Sequence, residues 1–515
     1  MDILANLYGG FVTVASNPYN FLYLFIGLLV GALIGLLPGI GSATTIAILL
    51  PFLYGRDPLS GVIMLSGIYY AAAYCGAITA ILLRIPGDPN AVMTMLDGFE
   101  LNRQGKAVQA LAMAGIASFI GATLGNIGLT LLAEPVSNLG LMFGPPEHTM
   151  VMLLALVLLA AIGSEDFLKG LIATVFGLML GTVGAEPIGG AYRFSFGIIH
   201  FMDGINFIPL GVGFFAITDI LINVETGLEF KVSEEGRQKA KETKLWTYVS
   251  DVISDLRTCT IPILRASAIG FIIGVLPGTG ASVATFFSYI VEKKVSKKPE
   301  SFGTGNIIGV AAPEAANNSV VGGALVPMLT LGIPGSKSTA MMMVGLLMMG
   351  IRPGPLLMTQ NPGFVWGFMS SLYFGNFLAL VIITPFAAIV MTKILTFTSY
   401  RILYPIILVV SFMGAFGVKD HVFEIWLSIF FGVVGYFLFK LGIPFVSLAI
   451  ALILGPLFEK SFLTSLVLSD RSFSIFVTRP ISAVMVAITV LIILSQLVAS
   501  PGDLAKRIVK KLRLQ

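Results

Sequence analysis

Charged residues are scarce in this sequence, and their scarcity excludes an ordinary water-soluble fold. Asp, Glu, Lys and Arg make up 11% of the 515 residues, whereas hydrophobic residues make up 56%. A soluble domain carries about 25% charged residues, so most of this surface must face lipid. Apolar runs such as 150–162 do not alternate with polar residues as barrel strands do. The sequence therefore predicts an all-α polytopic membrane protein with roughly 10–12 transmembrane segments.

Cysteine and histidine are also scarce, and the motifs of common enzyme classes are missing. Cys75 and Cys259 lie far apart, in or beside apolar segments, and three histidines are too few for a metal centre. The sequence contains no Walker A loop, HExxH motif or nucleophile elbow. We therefore expect no disulfide, no cofactor, no metal other than Na⁺ and no enzymatic activity. A membrane enzyme acting on lipid-linked substrates is the least favoured alternative.

Three motifs recur in the same order in the two halves of the chain, which indicates an internal duplication. GLLPGIG at 35–41 recurs as GVLPGTG at 274–280, an offset of 239 residues. Ile-Pro-Gly at 85–87 recurs after 248 residues, and a weaker match that begins at Gly163 recurs after 254. The predicted segments are a first repeat at 1–224, a cytoplasmic linker at 225–258, a second repeat at 259–457, and a final transmembrane helix with a basic cytoplasmic tail at 458–515.

Basic residues place matching loops of the two repeats on opposite sides of the membrane, because short cytoplasmic loops collect Lys and Arg. The loop after the first motif holds only Arg56, whereas its copy holds four lysines at 293–298. The bias reverses after the second motif, where the loop of repeat one holds Arg103 and Lys106 and the loop of repeat two holds only Arg352. We therefore predict two inverted-topology repeats with re-entrant hairpins, as in many secondary transporters, in a bacterial inner membrane with a cytoplasmic C-terminus.

Each first motif should break a helix at membrane depth. Proline and glycine end a helix, and the apolar stretch that follows would present free N–H groups and the positive end of its dipole, which suit a carboxylate. A packing kink is the alternative for either copy alone, but two symmetric copies favour a site. The predicted substrate-binding residues in these motifs are Pro38, Gly39, Gly41, Ser42, Pro277, Gly278, Gly280 and Ser282.

The Ile-Pro-Gly motifs predict a further pair of helix breaks, each beside a basic residue. Arg84 and Lys337 adjoin apolar runs, where ionisable residues are usually functional. Each could pair with a substrate carboxylate. Alternatively, Arg84 pairs with Asp88, and Lys337 extends to the membrane interface. The substrate-binding residues predicted here are Pro334, Gly335, Ser336 and Lys337.

A polar stretch at 312–319 offers carboxylate, amide and hydroxyl oxygens within apolar surroundings. Such oxygens suit a hard cation such as Na⁺ or hydrogen bonds to substrate. The alternative is an N-terminal cap for a helix at 320–333, because Asn and Ser are good caps. The predicted cation-binding residues are Glu314, Asn317 and Asn318, together with Thr79 of repeat one.

Several of these motifs resemble the TctA family, the large membrane subunit of tripartite tricarboxylate transporters. The resemblance lies in GLLPGIGS at 35–42, YCGAITAILLRIPG at 74–87, AAPEAANN at 311–318 and TLGIPGS at 330–336. It implies uptake of small di- or tricarboxylates driven by a Na⁺ or H⁺ gradient. It also implies two partners, a small four-helix membrane subunit (TctB-like) and a periplasmic substrate-binding protein (TctC-like), and a homodimer is compatible with it. Lys337 departs from the family pattern and leaves the substrate open, and a passive anion channel is the main alternative.

Overall fold

The described part of the chain is almost entirely helical, as the sequence predicts. A computed structural model describes residues 3–36, 41–83, 88–162, 166–186, 189–226, 245–277, 280–385 and 421–512, with a few single positions between 405 and 419. Two compact units are present, one formed by Met1–Gly140 with Ile208–Tyr436, the other by Leu141–Phe207 with Phe437–Gln515.

The first unit contains the helices that flank all of the proline-glycine motifs. Its helices are α1 (Ile3–Ser16), α2 (Pro18–Gly35), α3 (Ser42–Leu49), α4 (Pro58–Leu83), α5 (Val92–Arg103), α6 (Ala107–Leu141), α9 (Phe207–Gly211), α10 (Thr218–Thr226), α11 (Leu245–Val275), α12 (Gly280–Val295), α13 (Ile308–Leu331), α14 (Lys337–Met348), α15 (Leu357–Gln360), α16 (Pro362–Leu378) and α17 (Val422–Lys440). Short π-helical turns at Val212–Ile217 and Ala379–Ile383 follow α9 and α16.

The second unit is a smaller helical bundle with one short hairpin. Its helices are α7 (Pro145–Ile162), α8 (Phe167–Gly181), α18 (Phe445–Leu468), α19 (Ile475–Thr478) and α20 (Pro480–Leu512). The antiparallel strands β1 (Gly184–Ala185) and β2 (Tyr192–Arg193) follow α8. Glu147 at the start of α7 accepts a hydrogen bond from Arg479 Nε at 2.5 Å, which ties α7 to the residue that precedes α20.

Six helices of the described residues are long and apolar enough to cross a membrane, so the chain is a multi-pass membrane protein. They are Pro18–Gly35, Pro58–Leu82, Ala107–Leu141, Ser254–Val275, Pro362–Ile383 and Val422–Lys440. Two shorter apolar helices, Ser42–Leu53 and Lys337–Met348, begin just after predicted breaks. Residues 245–258 of the predicted linker belong to α11, and residues 227–244 lie outside the described residues.

At each of the four motifs one described helix ends and another begins, although residues 37–40, 84–87 and 278–279 themselves lie outside the described residues. The first motif separates α2 from α3, and its copy separates α11 from α12. The Ile-Pro-Gly motif separates α4 from α5, and its copy separates α13 from α14. Ser42 is the first residue of α3 and Lys337 the first of α14. Polar residues therefore stand at helix starts, where backbone N–H groups lack partners within the helix.

In both halves, the helix before the first motif packs in the same register against the helix before the Ile-Pro-Gly motif. A Cβ on Gly31 of α2 would lie 2.5 Å from the carbonyl oxygen of Ile68 in α4, and a Cβ on Gly270 of α11 would lie 2.4 Å from that of Ala316 in α13. The glycines are 239 residues apart, and their partners are 248 residues apart. These are the offsets of the first two motifs, so the sequence duplication corresponds to duplicated packing. Close backbone approach at glycine is typical of membrane helices.

The two halves exchange helices around the central pair α4 and α13. Helix α6 of the first half packs on α13, because a Cβ on Gly121 would lie 2.2 Å from the carbonyl oxygen of Ala315. Helix α16 of the second half contacts α4 in return, through a hydrogen bond from the Tyr74 hydroxyl to Asn376 Oδ1. Within the first unit, the two halves therefore interlock.

The loops that charge counting assigns to the same side of the membrane lie next to each other. Gln104, beside Arg103, donates a hydrogen bond of 2.8 Å to the carbonyl of Thr304 in the loop after the lysines. The loops that contain Arg56 and Arg352 are assigned to the opposite side. Close to them in sequence, Gly61 in the first turn of α4 contacts Met349, which follows α14. Inversion of the repeats relative to the bilayer stays a prediction, but these neighbours agree with it.

One interpretation of the polar stretch at 312–319 is wrong. Helix α13 begins at Ile308 and runs without a break to Leu331, so Asn317 and Asn318 lie near its middle and cap no helix. Pro313 is the sixth residue of this helix and leaves the carbonyl of Gly309 without its usual N–H donor, yet the helix continues past it. The polar residues of this stretch are therefore buried in the centre of the unit, and the cap explanation no longer accounts for them.

Candidate substrate and cation site

Four helix starts, two from each half, meet in reciprocal pairs. The Ser42 hydroxyl of α3 lies 2.7 Å from the Ser338 hydroxyl of α14. The Ser282 hydroxyl of α12 donates to Asn90 Oδ1, just before α5, at 2.6 Å. Asn90 and Ser338 are separated by 248 residues, the offset of the Ile-Pro-Gly motif. Each first motif thus meets the second motif of the other half.

Asp88 connects the two pairs. Its Oδ1 accepts the backbone N–H of Asn90 at 2.9 Å, which caps the turn before α5. The backbone N–H of Ser42 also donates to this carboxylate, and a Cβ on Gly41 would lie 3.7 Å from Asp88 Oδ2. A continuous polar path therefore runs from Ser338 through Ser42, Asp88 and Asn90 to Ser282.

Lys337 supplies positive charge beside this path. Within the fully described stretch 332–340, Lys337 is the exposed residue and its neighbours are buried. It occupies the first position of α14, where the helix dipole disfavours a cation. Its ammonium group acts electrostatically on Asp88. Lys337 therefore adds to the positive helix ends and makes this region attractive to an anion.

The start of α14 is held rigidly. Ser336 and Thr339 form a capping box, with the Thr339 N–H donating to Ser336 Oγ at 3.2 Å and the Ser336 N–H to Thr339 Oγ1 at 2.8 Å. The Tyr69 hydroxyl of α4 lies 3.2 Å from Ser336 Oγ. Gly335 packs closely against Ala324, since a Cβ added at this position would lie 2.7 Å from Ala324 Cα. Pro334 is buried beside it.

A buried carboxylate forms a second polar cluster. Glu314 of α13 is fully buried, and its two oxygens accept hydrogen bonds from Thr94 of α5 at 2.5 Å and Ser118 of α6 at 3.2 Å. The ion pairs found among the described residues do not include Glu314. A carboxylate without a cationic partner in an apolar core is costly unless it binds a cation or a proton.

The two asparagines extend this cluster along α13. Asn318 donates its amide to the Glu314 carbonyl at 3.1 Å, whereas its own Oδ1 is buried and accepts no hydrogen bond from the described residues. Asn317 donates to the carbonyl of Ala73 in α4 at 3.4 Å. Thr79 bonds instead to Gly76 of its own helix. Glu314, Asn317 and Asn318 are thus neighbours, and no described contact joins Thr79 to them.

The structure describes two of the remaining predicted residues, Pro277 and Gly280. Pro38, Gly39 and Gly278 lie outside the described residues, as does Arg84. Pro277 is partly buried where α11 ends. Gly280 has a φ of +69°, and no atom lies within 4 Å of an added Cβ, so it borders open space at the start of α12.

Sequence reasoning missed Asp88, Asn90, Ser338, Thr94 and Ser118 as site residues. Asp88 was considered only as a partner for Arg84, and Thr94 and Ser118 not at all. The motif offset of 248 residues contained a usable signal, since it pairs Asn90 with Ser338. No sequence pattern marks Thr94 or Ser118, whose role depends on how α5 and α6 pack on α13.

Comparison with known proteins agrees with these motifs. The sequence model of the tripartite tricarboxylate transporter TctA family matches residues 21–450. The chain is similar to an uncharacterized 52.8 kDa protein from the TAR-I ttuC' 3' region of Agrobacterium vitis, with 37% identity over 488 residues and 95% of each chain covered. A protein from the TAR-II ttuC' 3' region of the same organism is 36% identical over 231 residues, 45% of this chain and 95% of that protein. No solved structure matches the chain significantly.

Proposed function

This chain belongs to the tripartite tricarboxylate transporter TctA family, and on that premise we propose that it takes up small di- or tricarboxylates by secondary active transport across the bacterial inner membrane. The observation that carries the proposal is the meeting of four broken-helix starts around Ser42, Asn90, Ser282 and Ser338, with Lys337 beside them. This arrangement concentrates N–H groups, hydroxyls and positive charge in one polar path.

The arrangement favours a carboxylate for physical reasons. Unpaired N–H groups and the dipole at a helix start attract anions, and Lys337 adds a full charge. Asp88 balances that charge when no substrate is bound. A substrate carboxylate would compete with Asp88 for Lys337 and for the N–H of Ser42. Binding would then break existing contacts as it forms new ones, which suits reversible loading and release.

We place the coupling cation at Glu314, Asn317 and Asn318. Glu314 is a buried acid without a cationic partner among the ion pairs of the described residues, and Asn318 Oδ1 is a buried acceptor that no described donor fills. Either a Na⁺ ion or a proton would meet the need of Glu314 for compensating charge. Thr94 belongs to α5, the helix that begins beside Asp88 and Asn90. Cation binding at Glu314 would therefore act on a helix that borders the substrate path.

The family also supplies the proposed partners and the direction of transport. A TctC-like periplasmic protein would deliver the substrate, and a TctB-like small membrane subunit would accompany this chain. The basic C-terminal tail would face the cytoplasm, as the positive-inside rule requires. Movement of one structural unit against the rest would expose the site alternately to either side.

Uptake in proteoliposomes tests the proposal. The chain, with candidate small-subunit and binding-protein partners, is reconstituted and supplied with radiolabelled di- or tricarboxylates under an imposed Na⁺ or H⁺ gradient. Accumulation above the external concentration that collapses with one gradient is the expected result. Flux that ignores both gradients would indicate a passive anion channel, and a new lipid product without uptake would indicate a membrane enzyme.

A further inference from the structure

A buried carboxylate outside the two clusters joins two helices, α5 and α12, about two turns after they begin at the substrate path. Asp97 of α5 is fully buried. Its Oδ1 accepts the backbone N–H groups of Gly303 at 2.8 Å, Gly305 at 2.9 Å and Asn306 at 2.7 Å. Its Oδ2 accepts the hydroxyl of Tyr289, on α12, at 2.8 Å. Four donors on one charged acceptor form a strong, directional contact.

The position of Asp97 connects this contact to transport. Helices α5 and α12 meet at their starts through Asn90 and Ser282, and Asp97 with Tyr289 joins them about two turns further along. Tyr289 lies one turn before the lysines at 293–298, which the positive-inside rule assigns to the cytoplasm. The contact therefore lies between the polar path and the predicted cytoplasmic face.

The other half holds the equivalent helix pair in a different way. The offset of 248 residues takes Asp97 to Gly345 of α14, and the offset of 239 takes Leu50 to Tyr289. Gly345 and Leu50 are indeed in contact, since a Cβ on Gly345 would lie 2.8 Å from Leu50 Cδ2. The same structural position is thus closed by the hydrogen bond from Tyr289 to Asp97 in one pair and by apolar packing in the other, and three backbone N–H groups at 303–306 hold Asp97 in place.

We propose that Asp97 is a positioning residue that latches the cytoplasmic gate between α5 and α12, while Leu50 and Gly345 form the external gate. This inference rests on the transport function proposed above. Separation of α5 from α12 removes the Tyr289 donor from a buried charge, whereas separation of α3 from α14 breaks no comparable polar contact at Leu50. The protein therefore rests with its cytoplasmic gate closed, and release of Asp97 opens the path to the cytoplasm.

Side-specific cysteine labelling tests the latch. Ser282→Cys places a thiol at an exposed position on the polar path, and both native cysteines are buried. In this background, a membrane-impermeant methanethiosulfonate reagent is applied to right-side-out or inside-out vesicles. Asp97→Ala should raise the labelling rate from the cytoplasmic face by about a hundredfold, and Tyr289→Phe by about tenfold, since it removes one hydrogen bond to a charged group.

Two control variants separate the latch from general loosening. Tyr54→Phe makes the same chemical change at a tyrosine that is 71% exposed and should leave labelling unchanged from both faces. Leu50→Ala should raise labelling from the external face alone. If Asp97→Ala prevents insertion, Tyr289→Phe still decides, because it preserves the three backbone bonds to Asp97.

The outcomes separate the latch from the proposed function. An increase confined to the cytoplasmic face supports the latch. Unchanged labelling, or an equal increase from both faces, overturns it. Uptake by the wild-type chain is measured in matched vesicles. If it fails while the labelling pattern appears, the transport proposal is wrong and the latch stands. If uptake succeeds with unchanged labelling, the latch is wrong and the transport proposal stands.

Discussion

Replacement of Lys337 by glutamine should weaken substrate binding far more than turnover. The substitution keeps a polar side chain of similar length and removes the charge at the start of α14. A hydrogen bond to a charged group contributes about 1.5–3 kcal/mol, which corresponds to an increase in Kd of about 10- to 150-fold. Asp88 would then lie beside the substrate carboxylate without its compensating cation. We therefore expect the effect at the upper end of that range.

The assay is substrate concentration dependence of uptake in proteoliposomes, which separates KM from the maximal rate. Asp88→Asn combined with Lys337→Gln should recover part of the lost affinity, because the neutral amide no longer repels the substrate. Lys294→Gln, at an exposed position after the gate, removes the same charge away from the path and should leave KM unchanged. An unaltered KM in Lys337→Gln, or an equal change in Lys294→Gln, would refute the role of Lys337.

Three further substitutions test the cation cluster and the duplicated packing. Glu314→Gln should abolish gradient-driven accumulation of substrate, while exchange of substrate between the two sides persists. A membrane potential of 100 mV contributes about 2.3 kcal/mol per coupled charge, which corresponds to about fiftyfold accumulation. Retained accumulation in this variant would contradict the cation site. Asn318→Ala should shift the cation concentration for half-maximal uptake at least tenfold in a titration, and an unshifted titration would exclude it. Gly270→Leu should prevent folding, because its Cβ would meet Ala316, whereas Gly9→Leu in open space should give a monodisperse protein in detergent.

The duplicated frame could be predicted because its cause is local. Proline and glycine at 38–41 and 277–280 disfavour helix through their own backbone restrictions, and the described helices end just before them, at Gly35 and Val275. The offsets of 239 and 248 residues even anticipate which residues touch, as the contacts of Gly31 and Gly270 demonstrate. A period in sequence is preserved in packing when both copies fold in the same register.

The composition of the site could not be predicted, because it depends on which helices exchange between the halves. Sequence analysis offered Asp88 only as an alternative partner for Arg84, which lies outside the described residues. The contacts of Asp88 with Ser42 and Asn90 were not anticipated. Thr94 reaches Glu314 across 220 residues of chain. Thr79 was assigned to the cation site, yet its hydroxyl bonds within its own helix. Such contacts follow from tertiary arrangement, and no spacing in the sequence encodes them.

The differences between the two central helices explain how a duplicated frame can support a directional process. The offset of 248 residues aligns Ser66 with Glu314 and Tyr70 with Asn318. The Tyr70 hydroxyl donates a hydrogen bond of 2.6 Å to Asn126 Oδ1, so this position in α4 is satisfied. At the aligned position in α13, Asn318 Oδ1 is a buried acceptor without a described donor. Two identical halves would offer two equivalent cation sites and no preferred gate. Because Glu314 of α13 aligns with Ser66 of α4, a cation bound at the proposed site would bias one of two otherwise matching helix pairs.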